Sequence, residues 1–306
     1  RQALTNGVGF QEMIGANPFK YGIVAGSDSH VSSSVNEEFN YTGGHGNIDH
    51  SPEIRLSGAG SVAGEPAVLF GSAGVTGVWA PENTREAIFD GIARKETFGT
   101  SGPMIRVRFF GGWDYSDKLV NDKKFVEKAY ESGVPMGGDL PPKPKRAKAP
   151  TFAVWALKDP DSGNLDRVQI IKGWYDQRGY GFQKIYDVVW SDEREPGENG
   201  KLPPVGNTVD INKATYSNSI GDNELSAVWT DPDFDPSQHA VYYARVIEIP
   251  TPRWSTYDAA LLGVEPPAEV PATIQERAWA SPIWYTPDAE LVKKLDFYPG
   301  LQERLP

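Results

Sequence analysis

Asp28 and His30 stand two residues apart, directly behind the apolar run Tyr21-Gly22-Ile23-Val24-Ala25-Gly26. On a strand, a carboxylate and an imidazole at this spacing point to the same side, because side-chain direction repeats every second residue. Carboxylate oxygen and neutral imidazole together suit Zn, Mn or Fe. Such an ion lowers the pKa of a bound water and polarises an ester or phosphoryl oxygen. The plainer alternative has Asp28 capping a turn and His30 making an ordinary hydrogen bond. Two protein ligands also fall short of the three typical of a catalytic zinc site. The pair is therefore expected to be part of a metal site rather than the whole of one.

Three of the four histidines, His30, His45 and His50, fall in one stretch together with Glu37, Glu38 and Asp49. His45 lies between Gly44 and Gly46, where the backbone can come close to a ligand. It could serve as a further ligand, a general acid or a substrate contact, or it could be a flexible surface histidine. His50 precedes the turn-forming Ser51-Pro52 and reads as structural or exposed. His239 stands at the start of a strand-like segment and is expected to be structural. Thr100-Ser101-Gly102 could present N–H groups to an anion, although a helix-to-strand turn explains it equally well. Asp159-x-Asp161-x-Gly163 and Asp231-x-Asp233-x-Asp235 lack the glycine at position six and the glutamate at twelve of a calcium loop, and acidic turns account for both. There is no G-x-S-x-G, P-loop or H-E-x-x-H pattern.

Something must hold these residues in place. Tyr21–Gly26 has the character of a short buried strand. The stretch from Ser27 to Gly74 is rich in Gly, Ser and Asn and long for a loop, which favours a functional one. Asn83 to Lys95 is predicted to be a helix, with Asn83 as cap, Glu86 returning the hydrogen bond, and Ala87, Ile88 and Ile92 forming the apolar stripe. Met104–Phe110 alternates as a strand does. Beyond it, short segments rich in β-branched and aromatic residues recur between turn signals: Phe152–Leu157, Val168–Lys172, Ile185–Trp190, Ala227–Thr230, Val241–Ile249 and Ile283–Tyr285. This spacing predicts a β-sandwich.

The chain has 306 residues and a net charge of -11. Its length is ample for a buried core. The acidic balance argues against nucleic acid as a partner. The one basic cluster, Lys143, Lys145, Arg146 and Lys148, lies among prolines and reads as a solvated linker. With no cysteine, disulfides and thiolate metal sites are both excluded, and export to the periplasm or beyond is the expected localisation. No apolar run reaches the ~20 residues of a membrane span. The chain begins at Arg1 rather than Met, and an upstream part is expected.

Longer segments carry a resemblance. Gly26-Ser27-Asp28-Ser29-His30 resembles the last metal-binding motif of the PHP (polymerase and histidinol phosphatase) superfamily. Thr84–Gly91, Thr97–Pro103, Asn164–Trp174, Pro252–Thr256 and Glu276–Tyr285 are similar to segments of the DUF3604 family, a PHP-like group. The resemblance covers nearly the whole chain. It implies an α/β plus all-β fold, with the C-terminal part of a PHP-like distorted (β/α) barrel over 1–103. An immunoglobulin-like β-sandwich would follow over 104–260, and a tail over 261–306 would pack back on both. Metal sites of such barrels lie at the strand C-terminal ends.

Carried over, Asp28 and His30 become metal ligands for two or three Zn, Mn or Fe ions. Glu38 and His45 match a family stretch after the motif. Separately from the family match, His45 is expected to be the catalytic group, and Ser29, Glu38 and Ser101 to be substrate contacts. The family's upstream His-x-His motif is absent, so an N-terminal half of the same protein is the expected partner, and a homo-oligomer is allowed. The implied activity is metal-dependent hydrolysis of a small ester, with a phosphoester or related anionic ester as the expected substrate. The alternatives are a non-catalytic carbohydrate- or ligand-binding sandwich module, or a C-terminal fragment inactive without its other half.

Overall fold

The computed structural model describes residues 1–32, 36–58, 61–62, 64–176, 178–198 and 200–291. Parts of the Ser27–Gly74 stretch and the end of the expected tail, 292–306, lie outside the described residues. The chain opens with helix α1 (Gln2–Ile14) and, after a long irregular stretch, α2 (Pro52–Ser57). The two-residue ladder of β1 (Ser61–Val62) with β2 (Glu65–Pro66) follows, then β3 (Val75–Val78), α3 (Arg85–Ala93), β4 (Thr97–Thr100) and β5 (Arg106–Gly112). Next come α4 (Phe125–Ser132), β6 (Gly133–Pro135), β7 (Thr151–Leu157), β8 (Leu165–Tyr175), β9 (Gly181–Trp190), β10 (Glu224–Thr230) and β11 (Ala240–Glu248). The last elements are β12 (Thr251–Pro252), α5 (Trp254–Leu262), β13 (Thr273–Ile274), β14 (Arg277–Ala280) and β15 (Ile283–Tyr285). Every β-rich segment expected beyond residue 104 falls on a strand: four are extended by one to several residues, Val241–Ile249 is shifted back by one to Ala240–Glu248, and Ile283–Tyr285 keeps its bounds. Among the described residues no helix is long and apolar enough to cross a membrane.

The fold is mixed α/β and dominated by antiparallel sheets. One sheet has the order β10-β7-β5-β6. The other runs β3-β4-β14-β11-β8-β9, with β15 also paired to β11. The two share one core: Val107, Phe109, Phe152 and Val154 from the first meet Ile170, Tyr242, Ala244 and Val246 from the second. Each sheet buries its other face as well. Leu4 and Val8 of α1 cover Ile171, Val241 and Tyr243, while Phe125 and Ala129 of α4 cover Phe110 and Ala153. Burial on both faces is why β7 and β11 read as nearly continuous apolar runs instead of clean alternation.

Two expectations are corrected. Tyr21–Gly26 is extended but belongs to no ladder. Its N–H groups go to side chains: Ile23 donates to Ser281 Oγ at 2.7 Å and Ala25 to Thr76 Oγ1 at 2.9 Å. The segment lies against the face of β3 and β4 instead of pairing beside an edge. It comes so close that a Cβ on Gly74 or Gly99 would lie 2.9 or 3.0 Å from the Ala25 Cβ, so a side chain at either position would press on the segment. The helix cap is Thr84, not Asn83. Thr84 is extended and its hydroxyl accepts from the Ala87 N–H at 3.3 Å. Glu86 then falls one position short of closing a capping box. The buried face of α3 is Ala87 and Gly91, while Ile92 is exposed.

Candidate active site

The extended segment delivers Ser27–His30 to one wall of a cleft of about 170 Å³. Asp28 itself has φ 51. In this left-handed conformation the strand rule for Asp28 and His30 does not apply, and the chain turns sharply between them. Asp is one of the few residues that enters this region at modest cost. The turn is held by the Ser29 N–H donating to Ser27 Oγ at 3.0 Å and the His30 N–H donating to the Gly44 carbonyl at 2.7 Å.

The opposite wall is the His45 loop. Asp49, only 1% exposed, accepts from the backbone N–H groups of Gly44 and His45, both at 2.8 Å. Its carboxylate also lies 3.5 Å from His45 Nδ1, a buried nitrogen without a hydrogen-bond partner. That separation is too long for a hydrogen bond. It is nevertheless the arrangement in which a carboxylate orients an imidazole, and such bonds are often long before substrate is bound. With Nδ1 turned to Asp49, Nε2 is the nitrogen left to accept a proton or a ligand.

The His30 and His45 rings stack with centroids 4.7 Å apart, which joins the two walls. Asp28, Ser29 and His45 therefore line one cleft, with His30 packed on His45. Tyr41, Phe70 and Ser72 complete the lining. Burial, together with the Asp49 charge, pushes the Tyr41 hydroxyl up to about 12, so it is a neutral donor at physiological pH.

Glu38 and Ser101 take up positions behind this cleft. Glu38 is buried and accepts from Ser72 Oγ at 2.7 Å and from the Trp254 N–H at the start of α5. Ser101 Oγ donates to Glu276 and accepts from the Arg277 N–H at 2.8 Å. His50 is exposed. His239 is buried, with Nδ1 3.3 Å from Glu12 Oε1, and does not line the cleft.

A second framework anchors the His45 loop from outside. Arg55 of α2 makes a two-pronged contact with Asp258 of α5, at 2.8 and 3.0 Å, and its Nη1 donates to the Asp49 carbonyl at 3.2 Å. Tyr41 stacks on Trp254 at 4.6 Å. Sequence reasoning placed Asp49 among the acidic residues of the histidine stretch without a role, and missed Tyr41, Arg55 and Asp258. The spacing of four residues from His45 to Asp49 was the one available signal.

A family profile described as Protein of unknown function (DUF3604) matches residues 1–287. The chain belongs to the DUF3604 family. No curated protein and no solved structure gives a significant match. Within this DUF3604 chain, carboxylate and imidazole donors of the types that suit Zn, Mn or Fe meet at the cleft. Among the described residues, however, no group of three or more His, Asp or Glu is placed to hold a metal ion. The donor types fit a metal centre and their number does not complete one.

Proposed function

We propose that this chain carries one wall of a metal-dependent ester hydrolase site of the PHP kind. Carrying that reading is the convergence of Asp28, Ser29 and His45 on a single cleft, with His30 stacked on His45 and Asp49 set behind it. A bound Zn, Mn or Fe, held in part by Asp28 and His30, would supply an activated water and polarise an ester or phosphoryl oxygen. The remaining donors would come from residues outside this chain, an N-terminal half of the same protein being the partner proposed. The Tyr21–Gly26 segment with β3, β4 and α3 is read as the last part of a PHP-like barrel, and the two packed sheets as its sandwich.

The chain's own residues have definite tasks in this reading. His45, oriented by Asp49, takes or gives a proton at Nε2. Tyr41, kept neutral, donates a hydrogen bond to a substrate oxygen. Ser29 stands on the substrate side, and Glu38 holds the cleft lining through Ser72.

The test uses protein that includes any N-terminal half, purified from medium supplemented with Zn or Mn. Metal content and turnover of p-nitrophenyl phosphate are measured for the wild type, His30→Ala and Asp49→Asn. His30→Ala is expected to lose metal and activity together. Asp49→Asn is expected to keep metal and to lower kcat by roughly 10–100-fold, the usual effect of losing a carboxylate that orients an imidazole. Wild-type protein that holds no metal and gains no turnover on adding Zn, Mn or Fe would end this reading. One observation favours a glycan-binding role beside it: Trp174 stacks on the half-exposed Phe182 at the hairpin end of β8 and β9. The largest fully buried side chains, among them Trp254, Tyr242 and Phe152, are instead core aromatics, which keeps that role second.

A further inference from the structure

Behind Glu38, on the side away from the histidine cleft, lies a second and smaller pocket of about 50 Å³. Its wall includes Glu38, Glu276, Asp159 and Asp161, together with the rings of Tyr216 and Tyr257, and no Lys, Arg or His lines it. Acidic side chains gathered on a surface are usually just solvated. Here the decisive feature is a buried one. Glu276 is 1% exposed, and its Oε1 has no hydrogen-bond donor. The group that faces it is the Glu38 carboxylate, another acceptor.

The other partners leave that gap unfilled. Glu276 Oε2 is served by Ser101 Oγ. Both Glu38 oxygens are taken, by Ser72 and the Trp254 N–H. Just below, Glu248 is fully buried, with Oε2 served by Ser162 Oγ at 2.9 Å and Oε1 again without a donor. Two carboxylates turned toward one another need a proton or a cation between them, and a buried acceptor without a donor costs about 1–3 kcal/mol.

We propose that this pocket is a recognition site for the primary ammonium group of a small amine. An ammonium carries three donors and no acceptor, which matches a wall of acceptors. The faces of tyrosine rings attract cations as well. A bare metal ion is the poorer fit, since among the described residues no three His, Asp or Glu side chains are placed to hold one. The volume admits a head group and a short alkyl stem, not a sugar or a nucleotide. This assignment does not rest on the hydrolase reading.

The proposal has a signature in pH. Burial and the Glu38 charge raise the Glu276 carboxyl to about 8, against smaller lowering effects from the Ser101 hydroxyl and Arg277. Arg253, Glu37, Asp159, Asp161 and Glu248 are the other charged groups around the pocket. Without an amine the carboxyl pair holds a proton, and binding the ammonium must release it. Affinity should therefore rise about tenfold between pH 7 and pH 9, while an alkylamine itself stays charged to about pH 10.

The experiment is calorimetric titration of the full chain with n-propylammonium, n-propanol and Ca²⁺ at pH 7 and pH 9. Saturable propylammonium binding that strengthens with pH, with no binding of propanol, is the expected result. Glu276→Gln, checked for folding by thermal unfolding, should weaken it at least tenfold at pH 9. Tyr257→Leu should weaken it several-fold and serves as the second variant if Glu276→Gln does not fold. The proposal is overturned if propylammonium shows no saturable binding at pH 9. It is equally overturned if Ca²⁺ binds and displaces propylammonium, or if the folded variants bind as the wild type does.

Discussion

Glu276 shows what one side chain can do to the whole stability curve. Its carboxyl is raised to about 8 in the folded chain, mainly by burial, whereas an unfolded chain holds it near the ordinary glutamate value of about 4.3. Between those values the folded state binds more protons than the unfolded state. The sign follows: stability is greatest at the acid end of that window and falls as pH rises toward 8. One such group contributes at most about 1.4 kcal/mol per pH unit. Glu276→Gln keeps the shape and removes the titration. Urea unfolding at pH 5.5 and 8 should show the wild type losing more stability over that range than the variant. Parallel losses in both proteins would mean that Glu276 ionises normally.

No reading of the sequence could have found this group, because its partners Glu38 and Ser101 lie far away along the chain. Asp28, His30 and His45 were legible because their types and short spacings suffice to mark them. The direction of Asp28 was not. The strand rule assumes an extended residue, and φ at Asp28 is 51.

At the scale of elements, α2 and α5 depend on one buried ion pair. Arg55 and Asp258 are both almost fully buried, and their two-pronged contact ties α2, α5 and the Asp49 carbonyl together. Removing one partner strands the other charge in a dry interior, at a cost of about 3–5 kcal/mol. Asp258→Asn should therefore lower stability by about that much in chemical denaturation. Replacing both partners with apolar residues, as Arg55→Met with Asp258→Leu, should recover most of the loss. A double variant as unstable as the single one would show that the pair's hydrogen bonds, and not the stranded charge, dominate.

The strands after residue 104 were legible because β-branched and aromatic runs between turn residues leave few alternatives. Helix α1 was not. Its sequence QALTNGVGFQEMI holds an Asn and two glycines, all poor helix formers. Its stability comes from docking, with Leu4 and Val8 packed on Ile171 and Val241. A Cβ on Gly9 would lie 2.6 Å from the Tyr175 ring, so the residue that weakens the helix also lets it sit close to the sheet.

The whole molecule poses the sharpest question about domains. A division at 104 and 260 follows naturally from the change in sequence character at residue 104 and the end of the strand-rich stretch. The larger sheet is built across both of those points. Its order β3-β4-β14-β11-β8-β9 takes β3 and β4 from before residue 104, and β14 and β15 from after 260. Cut to 104–260, it would keep only β11, β8 and β9. The long β11 would lose β14 and β15 from one side and become an unpaired edge. The shared core would lose Phe98, Ala278, Ala280, Ile283 and Tyr285, and without α1 the faces of Ile171, Val241 and Tyr243 would meet water. At about 25 cal/mol per Å² of apolar surface, losses from three sides are large against the 5–15 kcal/mol that holds a typical protein folded. A 104–260 fragment should therefore lack near-ultraviolet circular dichroism and show no cooperative thermal transition, while chain 1–291 shows both. A fragment that melts cooperatively near the full chain's Tm would establish the sandwich as an independent domain, with the outer strands as additions to it.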